Sequence, residues 1–358
     1  MACCGIACRK RTHFQCIVPN GRWSGAIPIG HFALHSIRNV THIAGCGLSA
    51  FEEQTASLRA LRVTSRSLVI DSIQMTIADI NEAEIDQLHA LSIGVGWPHR
   101  AEDWQFLRHV GKGLVAMDSI GRVLGSAMWF PHGDKFATIG MVITSPRLQA
   151  NGTGQWLMRH AFTHLDGCNL RLNATRAARR LYRSLGFVAE KTVYQCQGEA
   201  VAPDTPPFAP DETILREISR GDLPSLGKLD QEAYGVDRTP LLEKLLSHSK
   251  GLGLFRNDRI EAFSLCRPFG RGHLIGPVVA SSDHHAIAVI RPQVAEHAGR
   301  FLRLDTSQND GLFSQFVDRS GMSVFDTVTT MRLGELPIPA DSRNDRPRIY
   351  ALASQALG

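Results

Sequence analysis

No run of about 18 consecutive apolar residues occurs anywhere in the 358-residue chain, which excludes an ordinary transmembrane helix. Paired C-x-x-C spacing is missing as well. Five of the eight cysteines, Cys3, Cys4, Cys8, Cys16 and Cys46, crowd the first segment, while Cys168, Cys196 and Cys266 are scattered. These spacings offer no structural zinc set, so reduced thiols and no metal are expected. His284 and His285 lack partners at metal spacing and read as helix surface. Gly111-Lys112-Gly113 lacks the four-residue gap of a phosphate-binding P-loop and reads as a turn.

Acidic residues are absent from the first 51 positions. That stretch has neither the charged start and apolar core of a signal peptide nor the periodicity of a transit peptide. Residues 1–66 are therefore expected to be an irregular extension, and whether they belong to the native protein is open from sequence. Residues 1–74 carry eight Lys/Arg against three Asp/Glu, and the remainder holds 31 of each, so the net charge of +5 is local. A balanced body without a basic stripe argues against nucleic-acid binding. With 43% hydrophobic and 20% charged residues, the chain has the composition of a water-soluble globular protein, expected in the cytoplasm.

What is present from Ser67 onward is a regular alternation of elements. S-L-V-I-D-S-I-Q-M-T is strand-like, and Asp79 with Glu82 forms a plausible capping pair for a helix over 80–92. A short helix 101–109 follows Trp97-Pro98. Three strand-like runs, 113–117, 122–130 and 135–144, come next, then a helix to Leu165, a strand 168–173, a helix 176–185 and a strand 187–196. Four prolines in P-D-T-P-P-F-A-P, residues 203–210, resist helix and sheet and read as a linker.

Beyond the linker the order recurs. I-G-M-V-I-T-S at 139–145 is echoed by I-G-P-V-V-A-S at 275–281, and L-R-L-N at 170–173 by L-R-L-D at 302–305. The spacing predicts two domains of one fold in tandem.

The stretch R-L-Q-A-N-G-T-G-Q, residues 147–155, lies between an apolar strand and a helix. Gln149-Ala150-Asn151-Gly152-Thr153-Gly154 matches the Q/R-x-x-G-x-G/A signature of the GNAT acetyltransferase superfamily in its required context. Leu181-Tyr182-Arg183-Ser184-Leu185-Gly186-Phe187 matches a second block of that superfamily. G-W-P-H at 96–99, D-W at 103–104, and L-D-Q-E-A-Y-G-V-D-R at 229–238 resemble the YitH/HolE-like branch of tandem acetyltransferases. Thr175 stands where many members have Asn. The resemblance covers about residues 68–334.

The resemblance implies an α/β fold with a mixed sheet: two tandem GNAT-like domains, each a central, mostly antiparallel sheet flanked by helices. Expected boundaries are a catalytic domain 67–198, a linker 199–211, a degenerate domain 212–334 and a tail 335–358. It also implies a splayed strand pair in the first domain, 140–143 against 170–173, holding acetyl-CoA. A backbone N–H of Met141 or Val142 would face the thioester carbonyl, with Ile143, Thr175 and Ala178 also at the cofactor.

Physical chemistry agrees with the cradle. A helix N-terminus presents unsatisfied N–H groups to a pyrophosphate, and glycine lets the ligand approach. The expected function is an N-acetyltransferase acting on a small-molecule amine or a protein lysine by direct attack in a ternary complex. A non-catalytic acetyl-CoA sensor or interaction module is the alternative. Tyr182 is the expected general acid. For the base, Glu102, Asp103, Asp134, His132 and a water are all open. Trp97, Trp104, Asp230, Tyr234 and Arg238 are candidates to line an acceptor cleft, with ordinary packing as the competing role. The second domain has S-S-D-H-H-A-I at 281–287 in place of the glycine loop, and Val317 at the position of Tyr182. The acceptor and the oligomeric state are not legible.

Overall fold

The computed structural model describes residues 65–70, 72–204, 209–210, 212–335 and 346–358. The irregular extension expected at the N-terminus, its five cysteines, and the centre of the Pro-rich linker fall outside them. None of the described helices is long and apolar enough to cross a membrane.

The first strand-like stretch is a hairpin: β1 (Ser67–Ile70) pairs antiparallel with β2 (Ile73–Asp79). Ser72 turns the chain in the left-handed region at φ 69°. The Asp79/Glu82 capping box forms, with Glu82 Oε1 accepting from the Asp79 N–H at 3.0 Å. It closes only a 3-10 turn, however, because Ala83 is extended, and α1 begins later (Ile85–Gly94). Then follow α2 (Ala101–Val110), β3 (Lys112–Asp118), β4 (Val123–His132) and β5 (Phe136–Thr144). The half closes with α3 (Thr153–Phe162), β6 (Asn169–Ala174), α4 (Arg179–Ser184) and β7 (Val188–Glu199).

The second half repeats this order, as the sequence echo predicts. It contains β8 (Ile214–Glu217), α5 (Leu223–Tyr234), α6 (Thr239–Leu246), β9 (Lys250–Arg256), β10 (Arg259–Phe269) and β11 (Gly272–Ala280). After these come α7 (Asp283–Glu296), β12 (Phe301–Thr306), α8 (Gly311–Arg319), β13 (Ser323–Leu333) and β14 (Arg348–Ala351).

The two halves share one 14-stranded sheet, in the order β1-β2-β3-β4-β5-β6-β13-β7-β12-β11-β10-β9-β8, with β14 paired to β11. The order contains a strand exchange. β13, from the second half, lies between β6 and β7 of the first, with Thr330 opposite Asn173 and Met331 opposite Leu172. β7 in turn pairs with β12, Gln195 opposite Asp305. Each half thus completes the other's sheet, and the largest apolar cluster draws on both, joining Trp104, Leu107 and Met141 to Leu226, Phe263 and Leu352. Non-local pairing of this kind makes independent folding of either half unfavourable, since each would expose a long sheet edge.

The segment expected to be a tail is also part of this body. Tyr350, Ala353 and Leu357 have no solvent exposure.

Candidate functional site

The site begins where a parallel ladder stops. β5 and β6 pair from Phe136↔Asn169 to Ile139↔Leu172 and no further, so Gly140 to Thr144 diverge from Asn173 and Ala174. On its other side β5 pairs with β4, where Met128 faces Gly140 and Ser126 faces Ile143. Two β5 residues, Met141 and Val142, therefore oppose the single Ala127. This bulge frees a backbone N–H from the ladder at the apex of the gap. Met141 takes φ 51°, a costly conformation for a residue with a side chain. The Ser126 hydroxyl, donating 2.7 Å to Met141 O in a buried setting, holds it there.

The glycine loop sits at the open end of the gap. Gln149 Nε2 donates 3.3 Å to Thr144 O, tying the loop to β5. Ala150 at φ 67° and Gly152 at φ 86° turn the chain into α3. Gln149 to Gly152 are exposed, and a Cβ added to Gly152 would meet nothing within 4 Å. At Gly154 an added Cβ would meet only Leu181 Cδ2 at 3.2 Å and Thr144 Cγ2 at 3.9 Å. Among the described residues, no hydrogen bond uses the N–H groups of Ala150 to Gly154, and the buried Thr153 hydroxyl has no partner. These open donors at a helix N-terminus fit a pyrophosphate.

A cavity of about 280 Å³ adjoins the apex. Gly140, Met141, Asn173 and Thr175 form one side of it, and Trp97, His99 and Phe269 another. Of the expected acceptor residues, Trp97 is thus at the cavity. Trp104 is not: it is fully buried and its Nε1 donates 3.0 Å to Ser92 Oγ. Asp230 and Arg238 form a bidentate ion pair at 2.7 and 2.9 Å without solvent exposure of either side chain. The Arg238 guanidinium lies 3.7 Å from the Tyr234 ring centroid, and Tyr234 lines a separate cavity of about 380 Å³. These residues brace α5 in the interior instead of facing the apex cavity. Buried ionic groups and cleft-lining ones look alike in sequence.

The candidate bases are also placed. Asp103 is buried and takes bonds from the Arg100 N–H at 2.8 Å, the Arg100 guanidinium, and the Gly270 N–H at 2.9 Å, so its oxygens are engaged in joining the two halves. Glu102 and Asp134 are exposed, and neither lines the apex cavity. Burial, reinforced by the Arg238 charge, pushes His132 down to about 3; it packs against Phe136 and Tyr234 away from the cavity.

His99 is the residue that sequence reading passed over, although it closes the G-W-P-H motif. Burial lowers it to about 4, against the pull of Asp103, so the imidazole is neutral at pH 7. Its ring centroid is 5.4 Å from Phe269 and 5.8 Å from Trp97.

Tyr182 lies on α4, 5% exposed, with its ring edge-on to Phe187 at 5.8 Å. Its hydroxyl makes no hydrogen bond among the described residues, and burial raises its pKa well above the usual phenol range. Thr175 lines the cavity and begins the turn into α4, its hydroxyl accepting from the Ala178 N–H at 3.4 Å.

The corresponding positions of the second half are built differently. β11 and β12 also part early, after Leu274↔Arg303, but β14 occupies the opening. In the I-G-P-V segment Pro277 replaces Met141, which removes the N–H at the bulge. At the start of α7 the Ser282 hydroxyl accepts from the His285 N–H at 3.2 Å, and Asp283 puts an acidic residue in the first turn, its carboxylate accepting from the Phe313 N–H at 3.0 Å.

Comparison with known proteins agrees with this geometry. Models described as acetyltransferase (GNAT) domains match residues 110–189 and 226–350, one in each half. YitH of Bacillus subtilis strain 168, described as an uncharacterized N-acetyltransferase, is 25% identical over 284 residues, spanning 78% of this chain and 97% of its own. A crystal structure of a proposed acetyltransferase from Pyrococcus horikoshii superposes with TM-score 0.64 at 20% identity, covering 82% of this chain and 99% of that one. A tandem GNAT protein of the clavulanic acid biosynthesis pathway gives TM-score 0.53 at 12% identity, covering 75% of this chain and all of the other. With a GNAT domain matched in each half and a relative aligned along most of its length, the chain belongs to the GNAT acetyltransferases as a tandem-domain enzyme.

Proposed function

We propose that the first half transfers an acetyl group from acetyl-CoA to a primary amine by direct attack in a ternary complex, and that the second half binds no donor. One observation carries this reading: an unsatisfied N–H cradle and a strained bulge mark the two ends of the same splayed strand pair.

Acetyl-CoA supplies an activated acetyl thioester. Ala150 to Gly154 hold its pyrophosphate with backbone N–H groups, and Gln149 fixes the loop on β5. The bulge N–H at Met141 or Val142 stabilises negative charge developing on the carbonyl oxygen, an interaction strongest in the transition state. Val142, Ile143, Thr175 and Ala178 flank the gap into which the pantetheine arm fits.

The amine attacks only when neutral. With a lysine-like pKa of ~10.4, fewer than roughly one molecule in a thousand is neutral at pH 7, so a proton must be removed. The exposed carboxylate of Asp326 lines the cavity and can relay that proton to solvent through water, whereas burial, which lowers His99 to about 4, leaves that imidazole a weak base. Tyr182 is protonated at pH 7 and would serve the departing thiolate as general acid chiefly through a hydrogen bond, because burial weakens the phenol as an acid and Tyr182 does not itself line the apex cavity. The confined apex cavity favours a small amine over a folded protein's lysine.

The test is thiol release from acetyl-CoA across L-amino acids, aliphatic diamines, amino sugars and lysine peptides, with the acetylated amine identified by mass spectrometry. Release that never exceeds the amine-free rate, despite saturable donor binding, would support the non-catalytic reading.

A further inference from the structure

We propose that the segment 348–356 is an internal ligand of the second GNAT domain, and that by lying in that domain's groove it sets Gln355 as an acceptor-positioning residue in the cavity of the first. The proposal rests on the acetyl-transfer reading of that cavity.

The groove is occupied by backbone. β14 adds to β11 with Val278 opposite Ala351 and Val279 opposite Ile349, and from the other side the Leu352 N–H donates 2.8 Å to Asp305 O on β12. The segment thus bridges the two strands at the place where their own ladder has ended. Gly276 is a requirement of this fit, since a Cβ there would run into Leu352 O. Strand addition of this kind draws affinity from main-chain hydrogen bonds. Anchors come from buried side chains: Arg267 Nη2 donates 2.7 Å to Ala353 O, and the Tyr350 hydroxyl donates 2.9 Å to Asp283 Oδ1.

Leaving that groove, the segment crosses into the first half. A Cβ on Gly140 would lie 2.6 Å from Ala356 Cβ, so the two backbones touch at the apex of the donor gap. Asn173, on the opposing strand, donates 2.8 Å to Gln355 O. The Gln355 amide then donates 3.1 Å to Gln195 Oε1 and 3.2 Å to Asp305 Oδ1, while Gln195 donates 2.8 Å to Gln197. Ser354, Gln355 and Ala356 line the cavity together with Gly140 and Met141. A groove no longer able to take a donor therefore serves as the socket that holds the acceptor wall of its neighbour.

The first experiment is hydrogen–deuterium exchange on the full chain with and without saturating acetyl-CoA. The amides of residues 351 and 352 should exchange slowly in both. Exchange at the rate of an unstructured peptide, or release of the segment by acetyl-CoA, would overturn the internal-ligand assignment. The second uses full-length Gln355→Ala and Gln195→Ala with the fastest amine among the amino acids, diamines and amino sugars. KM for the amine should rise at least tenfold, while acetyl-CoA KM and its Kd by calorimetry stay within about twofold, as expected when a substrate-positioning hydrogen bond is lost. An unchanged amine KM, or donor and amine constants rising together, would remove the positioning role. Failure of the wild-type chain to bind acetyl-CoA would instead overturn the acetyl-transfer reading, and the positioning role with it.

Discussion

Gly140 and Ala356 touch across 216 residues of sequence: the space that a Cβ on Gly140 would need holds Ala356, 2.6 Å away. The contact sits at the apex of the splayed pair. Gly140→Ala should therefore overpack this point and destabilise the fold by about 1–3 kcal/mol. It should also raise the amine KM by displacing Gln355. Chemical denaturation and thiol-release kinetics read the two effects. Stability equal to wild type would mean that the segment yields freely.

Gly154 has room for a side chain as far as the fold is concerned, since its nearest neighbour is the end of a flexible leucine. Gly154→Val should leave the unfolding midpoint close to wild type but fill space needed by the pyrophosphate. Acetyl-CoA Kd is expected to rise at least tenfold, roughly 1.4 kcal/mol or more. Unchanged Kd by calorimetry would move the phosphate site elsewhere.

Tyr182→Phe removes a hydroxyl that forms no hydrogen bond among the described residues, so stability should hold. Loss of a general acid costs about 10²–10⁴-fold in the rate of the step it assists. A drop in kcat with donor Kd intact supports the acid; equal kcat would assign Tyr182 to packing alone.

Arg238 and Asp230 pair without solvent, and Arg238 Nη1 also donates 2.8 Å to Gly358 O. Arg238→Met leaves a buried carboxylate unpaired and should cost about 3–5 kcal/mol. The measurement is urea denaturation; a loss below 1 kcal/mol would mean that water reaches Asp230.

His132 contributes to the pH dependence, together with His99. Its folded pKa of about 3 lies below the ordinary value of 6.5, so the unfolded chain binds more protons between those limits. Stability therefore rises with pH across that window and is lost as pH falls from 6.5 toward 3. His132→Asn should reduce, without abolishing, the slope of unfolding free energy between pH 6.5 and 5, because His99 contributes over the same window. An unaltered slope would assign it to other groups.

Much of this molecule could be read from sequence, and the parts that could not share a physical cause. The tandem repeat, the glycine loop and most element boundaries follow from local periodicity and turn chemistry. The exchange of β7 and β13 does not, because alternation of buried and exposed residues fixes which face a strand buries but not which strand it pairs with. R-I-Y-A-L-A-S-Q-A-L-G resembles a tail for the same reason: a short run of small and apolar residues becomes a strand only in the groove that receives it. Asp230, Tyr234 and Arg238 carry polar groups suited to a cleft, and only the three-dimensional arrangement places the ion pair inside. His99 stood in a quoted motif, but its neutrality comes from burial among Trp97, Trp104 and Phe269, and Phe269 comes from the other half of the chain.

The central claim is that one half of a twofold repeat kept the donor site while the other gave its groove to the chain's own segment. Calorimetric titration of the full-length protein with acetyl-CoA tests it most directly. The account predicts one equivalent bound per chain, weakened or abolished by Gly154→Val. Two equivalents, or a single site indifferent to Gly154→Val, would contradict it.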